Sequence, residues 1–211
     1  MEKVQVEMKG PVAWVWLNRS RKLNALNGEM LAELQGTFEE LGDNREVGAI
    51  VLAGRGPAFS AGFDVAWMAG QDAESVGREL PGIEAVYDTI EACAKPVIAA
   101  VQGAAMGGGL LLTLVADVCL AAEGASFGAP EVKIGFFPIL RLIPRLERLV
   151  GLRAAKRLVL SGDPVDAAEA LAIGLVDRVL PADALQAQSQ TLAAQLAGLP
   201  TMAVQTAKAA F

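Results

Sequence analysis

Residues 96–116 constrain the fold of this chain more than any other stretch. They carry no charge, yet Gln102, Gly103 and the triplet Gly107, Gly108, Gly109 interrupt them. A membrane-spanning helix needs about 20 mostly apolar residues, so length alone admits one. The glycines argue against it, because each costs about 1 kcal/mol relative to alanine inside a helix. The run reads instead as a buried strand over Val97–Val101, a glycine turn, and a buried helix over 108–115. Elements this apolar need covering on both sides, so the rest of the chain must supply the layers around them.

The pattern elsewhere alternates in type. Val4, Val6 and Met8, then Val12–Leu17, predict two strands joined at Lys9-Gly10-Pro11. Asn27 caps a helix with Leu31, Leu34, Phe38 and Leu41 on one face, and Gly42 is expected to end it. A strand over 49–53 leads into the loop 54–64, a short helix Val65–Ala69, and a longer helix over 75–93. Strands follow at 117–122 and Ser126–Gly128. Helical patterns then take over at 152–160, 166–173, 183–196 and 202–211, with one strand at 176–180. The class is α/β. A boundary near Gly151 divides residues 1–150, an α/β core, from 151–211, a helical C-terminal region, within one domain of 211 residues.

Composition excludes several chemistries. With no histidine, the chain has no Ser-His or Cys-His triad and no His-bound zinc, and no metal site is expected. A net charge of -6 argues against a nucleic-acid binder. Cys93 and Cys119 stand apart without a CxxC, which fits a reducing compartment rather than a disulfide framework. The first ten residues include Glu2, Lys3, Glu7 and Lys9 and lack an apolar signal segment, so a cytoplasmic protein without membrane attachment is expected.

Three places suit chemistry. The loop 54–64 begins like a dinucleotide fingerprint with Gly54-x-Gly56, but Phe59 takes the third glycine position and Pro57 removes a donor. A surface loop with Asp64 capping the next helix fits it equally. The glycine triplet before the apolar helix can present free N–H groups to an anion or a developing oxyanion, or it can simply allow close helix packing. Glu131 follows Pro130 in a segment that is otherwise apolar or small apart from Lys133. Such surroundings raise a carboxylate pKa toward that of a general acid or base. A helix cap or an ion pair with Lys133 is the plainer alternative for the same residue.

Taken in order, Ala58-Phe59-Ser60-Ala61-Gly62-Phe63-Asp64, Gly103-Ala104-Ala105-Met106-Gly107-Gly108-Gly109 and Phe127-Gly128-Ala129-Pro130-Glu131 make the chain resemble the enoyl-CoA hydratase/isomerase family, the crotonase superfamily. Residues 17–26, Leu-Asn-Arg-Ser-Arg-Lys-Leu-Asn-Ala-Leu, are similar to that family's early LNRP-x-x-NAL segment, and 168–177 to its AL-x-x-GLVD stretch. The resemblance implies a spiral of strand-strand-helix turns forming two roughly perpendicular sheets, assembled as homotrimers or dimers of trimers. It implies an acyl-CoA substrate, with coenzyme A part of the substrate and no tightly bound cofactor. By position, the main-chain N–H groups of Phe63 and Gly108 form an oxyanion hole and Glu131 is the acid or base. Arg21, Lys22, Ala25, Ala58, Ser60, Ala61, Asp64, Gly107, Leu111 and Pro130 are the expected substrate contacts, with Arg55 behind the two cations.

Departures from the family pattern carry information. Its hydratases use a second glutamate after the glycine triplet, where this chain has Leu111. A lone carboxylate favours moving a double bond over adding water, unless another acid enters from the 64–72 segment. After Phe137-Pro138 the family often has a glycine-rich turn, whereas Ile139-Leu140-Arg141 stands here, so the acyl pocket should be lined differently. The family normally adds helices beyond the position of Phe211, and a shorter helical region would weaken CoA binding or exchange between subunits. A non-catalytic acyl-CoA binder or assembly subunit is the competing reading, and a dinucleotide-binding protein the third.

Overall fold

A computed structural model describes residues 2–69 and 73–211. Its strands are β1 Val4–Lys9, β2 Val12–Leu17, β3 Ala49–Gly54, β4 Val97–Val101, β5 Ala104–Met106, β6 Val118–Ala122, β7 Ser126–Gly128, β8 Val165–Asp166 and β9 Arg178–Leu180. Its helices are α1 Gly28–Asp43, α2 Val65–Ala69, α3 Ala73–Glu91, α4 Gly108–Leu114, α5 Leu142–Ser161, α6 Ala167–Ala172, α7 Leu185–Ala197 and α8 Thr201–Lys208. Short 3-10 turns occupy Ser20–Lys22 and Pro130–Ile134.

The strands make a six-stranded sheet, ordered β1-β2-β3-β4-β6-β9, and a three-stranded sheet, ordered β5-β7-β8. All pairs in the large sheet are parallel except β1 with β2. Each turn of chain places one segment in the large sheet, then one in the small layer, then a helix. The sequence β4, β5, α4 and the sequence β6, β7, α5 both do this. Isolated bridges Ser60 to Ala105 and Leu26 to Phe63 extend the small layer back through the two preceding turns. That layer is where the candidate functional residues gather.

Alternation explains the burial. Val12, Trp14 and Trp16 point to one face of the large sheet, under Leu185 and Ala193 of α7. Ala13, Val15 and Leu17 point to the other, into the main core with Leu34, Phe38 and Ile90. Both faces are covered, as a parallel sheet requires.

The structure moves several expected boundaries. α1 runs past Gly42 to Asp43, because the Asn44 side chain accepts the Glu46 N–H at 2.9 Å and makes the stop one step later. The glycine turn after β4 contains β5, two alanines and Met106 paired in parallel with β7. The helix expected at 152–160 starts at Leu142 and is broken at Gly151, whose φ of 75° and ψ of 161° interrupt it. Within residues 151–211 the strand expected at 176–180 is β9, Arg178–Leu180 in the large sheet, and β8 adds an unexpected short strand to the small one. Among the described residues no helix is long and apolar enough to cross a membrane, and the uncharged run 96–116 is spent on β4, β5 and the seven-residue α4. Cys93 and Cys119 are free and buried.

Candidate active site

The loop 54–64 is fixed by side chains from other turns of the chain. Asn24 is fully buried; its amide nitrogen donates to the carbonyls of Arg55 at 2.9 Å and Ala58 at 2.8 Å. Gln102 donates to the Ala58 carbonyl at 2.8 Å and the Gly54 carbonyl at 2.8 Å. The Ser60 hydroxyl donates to the Asn24 carbonyl and accepts the Gly62 N–H. A loop with its carbonyls satisfied this way holds its backbone direction without a regular ladder.

Two glycines then bring separate turns together. Gly62 has φ +92°, and a β-carbon there would stand 2.7 Å from the Met106 carbonyl oxygen and 3.5 Å from the Gly108 nitrogen. Gly107 has φ +50°, and a β-carbon there would stand 2.6 Å from Glu131 Oε1. Both close approaches need a residue without a side chain. The Phe63 ring rests against Gly108, and Tyr87, fully buried, donates its hydroxyl to the Gly108 carbonyl at 3.1 Å from behind. Burial pushes the Tyr87 phenol pKa well up, so it stays a donor. Neither the Phe63 N–H nor the Gly108 N–H finds an acceptor among the described residues. Gly108 opens α4, where helix geometry leaves such donors free.

Glu131 occupies the first turn of the 3-10 segment Pro130–Ile134. The cap of that segment is Ala129, and Lys133 pairs with Asp163 at 2.5 Å, so neither of the plainer readings of Glu131 holds. Its Oε2 is buried and has no hydrogen-bond partner among the described residues. Burial raises its pKa above the ordinary carboxylate range, opposed in part by its own main-chain N–H. A carboxylate left unsatisfied in apolar surroundings is poised to take or give a proton.

These groups face one cavity of about 250 Å³. Phe63, Gly108, Glu131, Gly107, Leu111, Pro130 and Ala61 line it, and Glu131 is the sole ionisable side chain among the described lining residues. Other expected contacts lie behind it. Ser60 and Ala58 are buried and hold the loop through the bonds above. The Ala25 carbonyl accepts from Arg19. Asp64 caps α2 and pairs with Arg19 at 2.9 Å, which holds its carboxyl below the usual range. Arg21 and Lys22 are exposed on the segment whose main chain bonds the 61–64 turn, beside the cavity rather than in it. Arg55 stacks on Trp16 at 3.8 Å and faces Glu7, so it is already engaged. Within the 64–72 segment Asp64 is thus occupied, and Asp72 lies outside the described residues.

Sequence reading passed over four contributors. Asn24 and Gln102 act through contacts 31 to 48 residues away, which no local pattern reports. Tyr87 sits on α3 among ordinary core positions. Arg145, only 5% exposed, ties α5 to Glu84, Asp88 and Glu91 of α3 at 2.7 Å each, and so fixes the helix that carries Tyr87.

The family model described as Enoyl-CoA hydratase/isomerase matches residues 7–211. A Mycobacterium bovis protein named probable enoyl-CoA hydratase is 38% identical over 209 residues, covering 99% of this chain and 80% of its own. The crotonyl-CoA hydratase of Syntrophomonas wolfei is 36% identical over 211 residues, with 99% and 81% covered. The crystal structure of an enoyl-CoA hydratase from Bacillus anthracis superposes with a TM-score of 0.95 at 34% identity, covering 99% of this chain and 81% of that one.

Proposed function

This chain is an enzyme of the enoyl-CoA hydratase/isomerase family, with the crotonase fold, and from that premise we propose that its cavity holds the thioester end of an acyl-CoA and stabilises its enolate. The observation that carries the reading is the meeting of two unpaired main-chain donors, Phe63 and Gly108, with one buried, unsatisfied carboxylate, Glu131. Removing a proton beside a thioester builds negative charge on the carbonyl oxygen. Fixed donors in a water-poor cavity stabilise that charge, each by about 3 to 4 kcal/mol in comparable sites.

The reaction we assign is a double-bond shift. Glu131 takes a proton from C2 of a 3-enoyl thioester, and the C–H electron pair moves to give a dienolate whose charge rests on the thioester oxygen. The same carboxyl returns the proton to C4, which leaves the double bond between C2 and C3. One acid suffices for both transfers. Hydration would also need a group to orient and deprotonate water, and Leu111, 1% exposed on the cavity wall, offers none. Arg21 and Lys22, exposed beside the cavity, suit the phosphates of coenzyme A, which enters as part of the substrate with no other cofactor. Assembly as a homotrimer or dimer of trimers in the cytoplasm belongs to the same reading.

Glu131→Gln should lower turnover by about 10² to 10⁴ while acyl-CoA still binds by calorimetry. A loss under about threefold removes Glu131 from the mechanism. In paired assays, isomerisation of a 3-enoyl-CoA should exceed hydration of the 2-enoyl-CoA, and the opposite ranking defeats the one-acid argument.

A further inference from the structure

Gly107, Gly108 and Gly109 carry no β-carbon, so little in their own covalent structure fixes where the Gly108 N–H points. The direction must come from outside. The Gly107 N–H donates to the Gly128 carbonyl at 2.9 Å, and the Gly107 carbonyl, in the same peptide plane as the Gly108 N–H, accepts the Leu111 N–H at 2.9 Å. These bonds hold the near side of Gly108. The next peptide plane begins at the Gly108 carbonyl, and there the Tyr87 hydroxyl donates at 3.1 Å. A β-carbon on Gly108 would stand 2.9 Å from Phe63 Cε2 and 3.0 Å from the Tyr87 hydroxyl, so the two aromatic residues bracket the glycine.

Tyr87 is the chain's one tyrosine, and it is fully buried without lining the cavity. Any effect it has on the chemistry passes through Gly108. Its own place on α3 is fixed by Arg145, which donates to Glu84, Asp88 and Glu91, carboxylates that flank Tyr87 on both sides along the helix, and to the Leu140 carbonyl at 3.0 Å. We infer that Tyr87 is a positioning residue for the oxyanion donor Gly108, kept in register by the grip of Arg145 on α3. The inference rests on the acyl-CoA reading above. Packing asks only for the ring, which phenylalanine would supply; the hydroxyl is what the Gly108 carbonyl needs. A donor stabilises an oxyanion only while it is aimed at it, and the charge is largest in the transition state. A loosened donor therefore lowers turnover more than it weakens substrate binding.

The test is Tyr87→Phe in the full protein, with two readouts: steady-state isomerisation of a 3-enoyl-CoA, and the infrared carbonyl stretch of bound butanoyl-CoA, which has no double bond to move. We expect kcat to fall about tenfold, the worth of one net hydrogen bond, with KM within about twofold of wild type. The bound carbonyl stretch should lie closer to that of free butanoyl-CoA than it does in wild type. Arg145→Lys, which keeps the hydroxyl and a charge but not the forked grip, should show the same pattern more weakly. A Tyr87→Phe enzyme with kcat within about twofold and an unmoved stretch overturns the inference, even if it unfolds more easily, and leaves the acyl-CoA reading standing. So does a rise in KM at constant kcat. If Tyr87→Phe does not fold, Arg145→Lys decides alone, and an unmoved stretch there overturns the inference. Wild type that neither binds butanoyl-CoA nor turns over any enoyl-CoA defeats the acyl-CoA reading and this inference with it.

Discussion

The two sides of the cavity are built by different rules. On one side stand the turns at Gly62 and Gly107, where main-chain groups do the work and buried amides and hydroxyls from Asn24, Ser60 and Gln102 hold them in place. On the other stand Ile134, Phe136 and Phe137, side chains exposed to solvent and tied down at one end by main-chain bonds to Glu131 and Val132. The first wall tolerates little substitution, because it leaves no room for a β-carbon. The second can change a side chain at little cost to the fold. Main-chain groups thus form one wall and exposed side chains the other, with Glu131 at the seam.

The sharpest way to break that contrast is Gly107→Ala. Its added carbon meets Glu131 Oε1 at 2.6 Å on a backbone of positive φ, so it disturbs the acid and one main-chain donor together. We expect kcat/KM to fall by about 10² to 10³, measured beside a circular dichroism spectrum that stays native. A loss under about threefold would erase the distinction between the walls.

A smaller effect is expected from Asn24→Ala, which strips buried partners from the loop that leads to Phe63. Stability should drop by about 2 to 4 kcal/mol in urea unfolding, the cost of the unpaired groups left behind. Activity should decline with it because the Phe63 donor loses its support. A variant of unchanged stability would show that the loop is held from elsewhere.

The smallest effect reverses sign. Burial raises the Glu131 pKa above its ordinary 4.5, so the folded state favours the neutral acid. Below the unfolded value the group is neutral in both states and has no cost. As pH rises through the folded value, the native state must carry a buried charge and loses stability. Glu131→Gln should therefore melt higher than wild type at neutral pH, with the gain shrinking to nothing in acid, while its activity is poor. Thermal unfolding across pH measures this, and a gain that grows toward acid contradicts it.

Much of the frame was legible because alternation and helical spacing are local: β2, β4, α2 and the Asn27 cap all follow from their own residues. The glycines at 62 and 107 to 109 were legible as places where the backbone needs freedom, though not as neighbours of each other. What stayed hidden depends on distant partners. Asp64 read as a substrate contact and Lys133 as an ion-pair partner for Glu131, and their actual partners, Arg19 and Asp163, lie 45 and 30 residues away. The three-residue β5 is held by β7 on one side and by Ser60 on the other. Arg145 looks like one more surface charge until α3 brings three carboxylates to it.

The bridges from Leu26 to Phe63 and from Ser60 to Ala105 join successive windings of the chain. A nascent polypeptide wound only as far as α2 already owns Phe63 but has neither Gly108 nor Glu131 beside it. The centre thus has no half-formed version that could act early and leak reactive intermediates. During refolding, the appearance of turnover should trail the pairing of β1, β2 and β3, so that catalysis itself reports that the winding has reached Glu131.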